Sequence, residues 1–157
     1  MDVSSVMKKE VVSISEDATL EDAIRLLAAR RVGLLPVVNA ENSLVGILTL
    51  HDIIQLALPT FLEMLEDTDF VHDFGALENR KIPPEQRNKL ISEFMSPPTS
   101  CASTCGLLRA EALMRQHDLR DLPVVDEEAH LVGLASWVDV GVAFLESWSR
   151  PPGPTHI

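Results

Sequence analysis

The chain has 157 residues, a hydrophobic content of 46% and a formal net charge of −11, which suits one compact domain or two small halves that share a core. The negative charge argues against a broad nucleic-acid-binding face or an anionic membrane patch, and no apolar run reaches the roughly 20 residues of a membrane span. Because the N-terminus lacks the basic and apolar regions of a signal peptide and two cysteines are too few for a disulfide framework, we expect a cytoplasmic protein.

The first half of the sequence predicts the element order β-α-β-β-α. Apolar periodicity and turn residues place the elements in this order: a strand over 11–15, a helix from Thr19, strands over 34–38 and 44–48, and a second helix from Thr49. Thr19 and Asp22 form a predicted capping box, and Gly33 is predicted to end the first helix. Pro36 indicates an edge position or an irregularity in its strand.

The second half repeats this order 87 residues later, the spacing of Gly46 and Gly133. The stretch 44–52 reads L-V-G-I-L-T-L-H-D and returns over 131–139 as L-V-G-L-A-S-W-V-D. The predicted elements of the second copy are a strand over 99–102, a helix with its apolar face from Leu107, strands over 122–125 and 131–135, and a helix from Trp137. Two copies that are each too small to hold a core alone should pack together about a pseudo-twofold axis.

Two sets of motif residues carry a family resemblance. The first set is Val6-Met7, Thr19-Leu20-Glu21-Asp22-Ala23, Leu35-Pro36-Val37-Val38 and Gly46-Ile47-Leu48-Thr49 with Asp52. The second set is Phe94-Met95, Leu122-Pro123-Val124-Val125-Asp126 and Gly133-Leu134-Ala135-Ser136 with Asp139. Together they resemble the CBS domain pair, which is named after cystathionine β-synthase and is also called a Bateman module.

The resemblance implies an α+β fold of tandem CBS domains. Its two β-α-β-β-α repeats would be related by a pseudo-twofold axis, with a helical insert between them. The implied boundaries are 1–58 for the first repeat, 59–90 for the insert, 91–149 for the second repeat and 150–157 for a tail that is disordered by composition.

The resemblance also implies a site for an adenosine-containing ligand in each cleft between the halves. Asp52 with Thr49, and Asp139 with Ser136, are the residues implied to bind the ribose. A carboxylate can accept hydrogen bonds from a vicinal diol, and the amides of the helix that starts there favour phosphate. The alternative is structural, because each pair is also a capping box that needs no ligand.

Further site residues follow from the resemblance alone. Those implied to contact adenine are Val12, Ser13, Leu35 and Pro36 in the first site and Thr99, Ser100, Leu122 and Pro123 in the second. The apolar members of this set also fit an ordinary core.

Phosphate groups would need basic residues. Arg120 lies where the family often places a base that faces the ligand phosphates, and the alternative is an ion pair with Asp118 or Asp121. Its counterpart in the first copy is Gly33, so the second site is expected to be better equipped for a phosphorylated ligand. The bases that remain for the first site are Lys8, Lys9 and Arg31, for which solvated surface is the alternative.

No pattern in the sequence indicates catalysis or a metal site. Cys101 and Cys105 lack the two further ligands that a structural zinc site needs, and Cys101 fits a buried apolar position. The sequence contains no P-loop, dinucleotide fingerprint or nucleophile–base motif, so we expect no enzyme activity and no required cofactor. An enzyme that uses His51 with Asp52 is the remaining catalytic alternative, and it would require turnover.

The predicted function is regulatory binding of AMP, ADP, ATP or S-adenosylmethionine, relayed to a partner protein by a conformational change. CBS pairs commonly associate face to face as discs, so the resemblance implies a homodimer. The alternative is a ligand-independent interaction or dimerisation scaffold. It would use the insert over 59–90, whose mixture of apolar and acidic residues predicts amphipathic helices. Nucleic-acid and membrane partners are not expected.

Overall fold

A computed structural model describes residues 1–58 and 81–149. The predicted tail over 150–157, and the part of the predicted insert over 59–80, lie outside the described residues. None of the described helices is long and apolar enough to cross a membrane.

The described chain is a mixed α+β structure with the repeated element order that the sequence predicts. In the first half the elements are β1 (Ile14–Ser15), α1 (Leu20–Arg30), β2 (Leu34–Val38), β3 (Leu44–Thr49) and α2 (Leu50–Ala57). A short helix, α3 (Pro84–Arg87), follows the undescribed stretch. In the second half they are β4 (Cys101–Ala102), α4 (Leu107–Gln116), β5 (Asp121–Val125), β6 (Leu131–Ser136) and α5 (Trp137–Ser149).

The strands form two three-stranded sheets, ordered β1-β2-β3 and β4-β5-β6. The outer strands β1 and β4 run parallel to their middle strands. Pro36 therefore lies in a middle strand, and the predicted edge position is wrong. The proline is tolerated there because β1 is only two residues long and pairs with Val37 and Val38, so β1 begins beyond Pro36 and does not pair with it.

The first helix begins as predicted and ends earlier. Thr19 Oγ1 accepts from the Asp22 amide at 3.2 Å and Asp22 Oδ2 accepts from the Thr19 amide at 3.0 Å, which completes the capping box. The helix ends at Arg30, and the left-handed residue that follows it is Arg31, with φ of 53°. The prediction that Gly33 ends the helix is wrong, because Arg31 itself takes the left-handed conformation that glycine usually supplies.

The described residues divide into two compact units whose chain segments interleave. Among the described residues, the repeat 1 unit contains 12–39, 45–58 and 81–97, and the repeat 2 unit contains 1–11, 40–44 and 98–149. The segment that precedes each repeat in sequence thus belongs to the unit of the other repeat. The family boundaries drawn along the sequence stay a prediction, since they describe the repeats rather than these spatial units.

Backbone hydrogen bonds attach the segment before each repeat to the unit of the other repeat. In the repeat 2 unit, the Val3 amide donates to the Cys105 carbonyl at 2.8 Å, and Lys8 and Leu134 exchange two bonds of 2.9 Å. In the repeat 1 unit, Ile47 and Ser96 exchange bonds of 3.1 and 2.9 Å.

A methionine packs against a glycine at the same position in each unit. A Cβ atom on Gly46 would lie 2.5 Å from Met95 Sδ and 3.0 Å from a backbone oxygen, and one on Gly133 would be equally close to Met7. These distances are shorter than real Cβ contacts, so each glycine is required by the close approach of the neighbouring segment.

The core of the repeat 1 unit combines residues from both sides of the undescribed stretch. Its members are Ile14, Leu20, Ala23, Leu27, Leu35, Val37, Leu48, Ile53, Ile82 and Ile91. Ile82 and Ile91 come from the segment that follows the undescribed stretch. This segment, which begins within the predicted insert, therefore contributes apolar side chains to the core of the repeat 1 unit.

Candidate functional site

The predicted ribose-binding motif of the first repeat forms a complete capping box. The Asp52 amide donates to Thr49 Oγ1 at 3.1 Å, and the Thr49 amide donates to Asp52 Oδ2 at 3.3 Å. The carboxylate of Asp52 therefore already has a backbone donor, at the point where β3 ends and α2 begins. This geometry is the structural alternative that the sequence left open.

The same motif in the second repeat makes only one of the two hydrogen bonds of a capping box. The Asp139 amide donates to Ser136 Oγ at 3.0 Å, as a cap requires. Asp139 Oδ2, however, is buried and has no hydrogen-bond partner within the described residues. A buried acceptor without a partner costs about 1–3 kcal/mol, and more when it is charged. Such a group in a native protein calls for an explanation, and a donor supplied by a bound molecule is one.

A second carboxylate, Asp121, lies beside this motif and was considered from the sequence only as a partner for Arg120. Asp121 is directly opposite Ser136 in the antiparallel β5–β6 pair, so the two side chains project from the same face of the sheet. Burial raises the pKa of Asp121, the carboxylate of Asp139 raises it further, and the ammonium of Lys8 opposes the rise. We refer to Asp121 and Asp139 as the acidic pair.

One signal in the sequence points to Asp121. Its counterpart 87 residues earlier is Leu34, which is buried at 3% exposure. A charged residue that replaces an apolar one at an equivalent strand position marks a local difference between the repeats.

Lys8, which the sequence offers as a possible base for the first site with solvated surface as the alternative, lies in the repeat 2 unit. Its backbone pairs with Leu134, and its ammonium acts on the pKa of Asp121. The segment 1–11 is part of the repeat 2 unit, whereas the Asp52 motif is part of the repeat 1 unit. The role of Lys8 toward a ligand stays a prediction. A lysine that precedes repeat 1 in sequence therefore lies beside the motif of repeat 2.

Arg120 makes neither of the ion pairs considered from the sequence. Its guanidinium carbon lies 5.7 Å from the centre of the Trp137 ring, a cation–π arrangement. Its carbonyl accepts from the Trp137 amide at 2.8 Å. Within the described residues no ion pair joins Arg120 to Asp118 or Asp121.

The residues predicted to contact adenine fall into two groups. Four of them are completely buried in the middle strands β2 and β5, namely Leu35, Pro36, Leu122 and Pro123. The other four are partly buried and lie just before β1 and β4, namely Val12, Ser13, Thr99 and Ser100. Their roles toward a ligand stay predictions.

Arg31, another predicted base of the first site, borders an apolar groove in the repeat 1 unit. The groove has a volume of about 560 Å³ and runs between α1 and α2, where Ile24, Leu27, Ala28, Leu50 and Ile54 line it. Arg31 is the basic residue among the residues that line this groove. An apolar lining of this kind offers phosphate little beyond that one guanidinium.

The cysteines are buried and free. Burial raises the pKa of Cys101 to about 12, and Cys105 contributes to the rise. A thiol of this pKa stays protonated at neutral pH, and the thiolate is the form that binds metal or attacks an electrophile.

One cluster of possible metal ligands occurs among residues 1–58 and 81–149, in the turn between β5 and β6. It contains Asp126, Glu128 and His130. Asp126 Oδ1 accepts from the amides of Glu128 and His130 at 3.0 and 2.8 Å, and its Oδ2 lies 3.1 Å from His130 Nδ1. These bonds account for the cluster as the frame of the turn.

The fold and the paired motifs define a class of tandem-repeat domains, and comparison with family models identifies that class. The CBS domain family matches residues 3–58 and 91–144. The chain belongs to the CBS domain family, as the motif residues predicted.

Two curated relatives illustrate the range of proteins that carry such a pair. The uncharacterized protein MJ1426 of Methanocaldococcus jannaschii is 28% identical over 156 residues, which cover 88% of each chain. Inosine-5′-monophosphate dehydrogenase of Aquifex aeolicus is 27% identical over 131 residues. That match covers 82% of this chain and 21% of the enzyme, so the chain spans about a fifth of the enzyme's length.

Solved structures share the fold at lower identity. CBSX2 from Arabidopsis thaliana has a TM-score of 0.70 at 23% identity, with 96% of this chain and 98% of that chain covered. The CBS domain pair of MJ0100, in complex with 5′-methylthioadenosine and S-adenosyl-L-methionine, has a TM-score of 0.67 at 18% identity. A structure of CBSX2 in complex with AMP has a TM-score of 0.67 at 22% identity. Each of these two matches covers 94% of this chain and 98% of the other.

Proposed function

We propose that this chain is a regulatory module that binds an adenosine-containing ligand at the motif of the second repeat. The observation that carries the proposal is the buried Oδ2 of Asp139, which has no partner within the described residues. A ribose hydroxyl is a donor that would satisfy it, and a second hydroxyl can reach the other carboxylate oxygen. The complexes of MJ0100 and CBSX2 with adenosine compounds support this ligand class.

The first repeat is the weaker site in this proposal. Asp52 Oδ2 already accepts from the Thr49 amide, so the carboxylate has less acceptor capacity left for a ribose than that of Asp139. Binding at Asp139 adds a bond without breaking one. The ligand should therefore occupy the second repeat first.

The output of binding is a change in conformation that a partner protein reads. A ligand that favours one arrangement of the chain shifts the population toward it by the difference between its two affinities. We assign no enzyme activity to the chain and propose a homodimer that acts on a separate effector protein. The cytoplasmic location stays a prediction from the sequence.

An interaction scaffold is the second candidate, and one surface favours it. The helix α5 exposes Val138, Leu145 and Trp148 to 62%, 60% and 75%. Exposed apolar residues that recur along one helix suit a protein contact. A scaffold of this kind would not depend on the carboxylate of Asp139.

Thermal unfolding of the purified chain with AMP, ATP, S-adenosylmethionine or adenosine separates the two candidates. A ligand at 100 times its Kd adds about 2.7 kcal/mol of stability, which raises Tm by roughly 2–8 °C for a chain of this size. We expect at least one compound to raise Tm in the wild type, Asp139→Asn to abolish the rise, and the matched variant Asp52→Asn to retain it. An absence of any shift at millimolar ligand would contradict the binding proposal and favour the scaffold.

A further inference from the structure

The charges around Ser136 are unusual for a site that would hold a phosphate. The acidic pair contributes two negative charges, and Lys8 contributes one positive charge. The guanidinium of Arg120 lies over Trp137, and the charged groups that act on the pKa of Asp121 are Lys8 and Asp139.

The geometry forces any group bound at the motif to lie near Asp121. Asp121 and Ser136 are directly opposite in the β5–β6 pair, and such side chains begin about 4.5–5.5 Å apart. A ligand atom held between Ser136 Oγ and Asp139 Oδ2 thus lies within a few ångströms of a second carboxylate. Close to a partly buried site, charges at such distances interact strongly.

The start of α5 offers phosphate less than a free helix N-terminus does. Helix N-termini bind anions through amides that have no other partner. Here the Trp137 amide donates to the Arg120 carbonyl at 2.8 Å, and the Asp139 amide donates to Ser136 Oγ at 3.0 Å. Two of the first three helical amides are therefore occupied.

We propose that the repeat 2 site selects adenosine compounds whose 5′ substituent is cationic or uncharged, and discriminates against a 5′-phosphate. This inference rests on the proposed function and names the ligand class for the same site. A sulfonium or ammonium group would neutralise the net negative charge of Asp121, Asp139 and Lys8. A phosphate dianion would add two charges of the same sign as the acidic pair.

The titration of Asp121 is consistent with this selection. Burial already raises its pKa, and the neighbouring Asp139 adds to the rise, so the ionised carboxylate lacks full compensation there. The groups that face it are Lys8 from the segment before repeat 1, Ser136 from β6 and Asp139 from α5. A bound cation would supply the missing compensation.

The expectation from the sequence that Arg120 equips this site for phosphate assumed a guanidinium that faces the ligand. The first repeat offers a contrast, because Leu34 replaces Asp121 and Gly33 replaces Arg120. The acidic pair is thus a property of the second repeat, and the selectivity should follow it.

Isothermal titration of the full chain with four probes tests this inference. S-adenosylmethionine and S-adenosylhomocysteine differ by the methyl group that gives the sulfonium its charge, and AMP and adenosine differ by the phosphate. We expect S-adenosylmethionine to bind about tenfold or more tightly than S-adenosylhomocysteine, and adenosine to bind more tightly than AMP. The wild-type comparison needs no variant, so it holds whether or not a variant folds.

Asp121→Asn should reduce both affinity ratios, because it should weaken the binding of S-adenosylmethionine and strengthen the binding of AMP. Asp118→Asn is the matched control, because it removes one carboxylate from an exposed, left-handed position on the same unit that asparagine tolerates. If AMP binds as tightly as S-adenosylmethionine, or if Asp121→Asn leaves the ratios unchanged, the selectivity is refuted while the proposed function stands. If none of the four probes binds, the selectivity is refuted, and if ATP also fails to bind, the proposed function fails with it.

Discussion

Asp52 and Asp139 occupy the same place in the two repeats and use their carboxylates differently. Both follow a hydroxyl residue by three positions, in the first turn of a helix that begins at the end of a strand. Asp52 Oδ2 accepts from a backbone amide, whereas Asp139 Oδ2 is buried without a partner among the described residues. A capping bond uses part of the acceptor capacity of the carboxylate, so Asp52 has less capacity left for a ligand than Asp139 has.

The scaffold around the two carboxylates is nearly identical, which makes the comparison informative. Left-handed residues recur at the 87-residue spacing, with φ of 53° at Arg31 and Asp118, 62° at Asn42 and 66° at Ala129. The repeats differ instead at the first residue of the middle strand, which is Leu34 in one and Asp121 in the other. The backbone conformation was thus retained while the polar environment of the motif changed.

The largest expected effect tests whether the two scaffolds are equivalent. Gly46→Ala and Gly133→Ala should each destabilise the chain by about 1–3 kcal/mol, because the added Cβ would overlap a methionine and approach a backbone oxygen. Denaturant unfolding measures the loss. Gly141→Ala is the matched control, since its Cβ meets nothing within 4 Å in α5, and it should stabilise by roughly 0.5–1 kcal/mol. A loss in only one repeat would show that the scaffolds are not equivalent.

A smaller effect should distinguish the two carboxylates directly. Asp52→Ala removes one half of a complete capping box and should cost up to about 1 kcal/mol. Asp139→Ala keeps the bond from the backbone amide to Ser136 Oγ and removes a buried oxygen that has no partner within the described chain, so it should cost less or stabilise. Unfolding of the two variants without ligand provides the comparison. Equal losses would mean that Asp139 also caps its helix.

Most of the fold is predictable from the sequence, because it depends on periodicity and local chemistry. The capping boxes at Thr19 and Thr49 were predicted from residue types at fixed spacing and are confirmed. The position of Lys8 was not predictable, because a short segment reads the same whichever repeat it packs against. The predictions made from Gly33 and Pro36 were wrong for a related reason. The left-handed conformation of Arg31 and the short length of β1 leave no signal in the sequence.

The site was predictable only in part for a different physical reason. Spacing identifies Asp52 and Asp139 as equivalent, but whether an oxygen meets an amide depends on placement within a fraction of an ångström. The proximity of Asp121 to the motif was equally hard to predict, because it depends on the register between β5 and β6. The available signal in the sequence was that Asp121, a charged residue, is the counterpart of the apolar Leu34 in the other repeat.

The smallest expected effect concerns the acidic pair itself and depends on pH. The pKa of Asp121 is raised in the folded chain above its ordinary value of 3.8, so the folded state holds that proton more tightly than the unfolded state. Stability contributed by the protonated form is complete below the unfolded pKa and is lost as pH rises through the folded pKa. At neutral pH the ionised carboxylate is therefore unfavourable, and Asp121→Asn should raise Tm.

The gain should be small, about 0.5 kcal/mol or less, because Asp121 is only partly buried and solvent screens its charge. It should shrink toward zero as pH falls below the ordinary aspartate pKa. Tm measured across this pH range provides the check, with Asp118→Asn as the control that removes an exposed carboxylate. A lower Tm for Asp121→Asn at neutral pH would mean that the pairing of Asp121 with Lys8 outweighs burial and the repulsion from Asp139. The site would then tolerate the charge of a phosphate better than the acidic pair suggests.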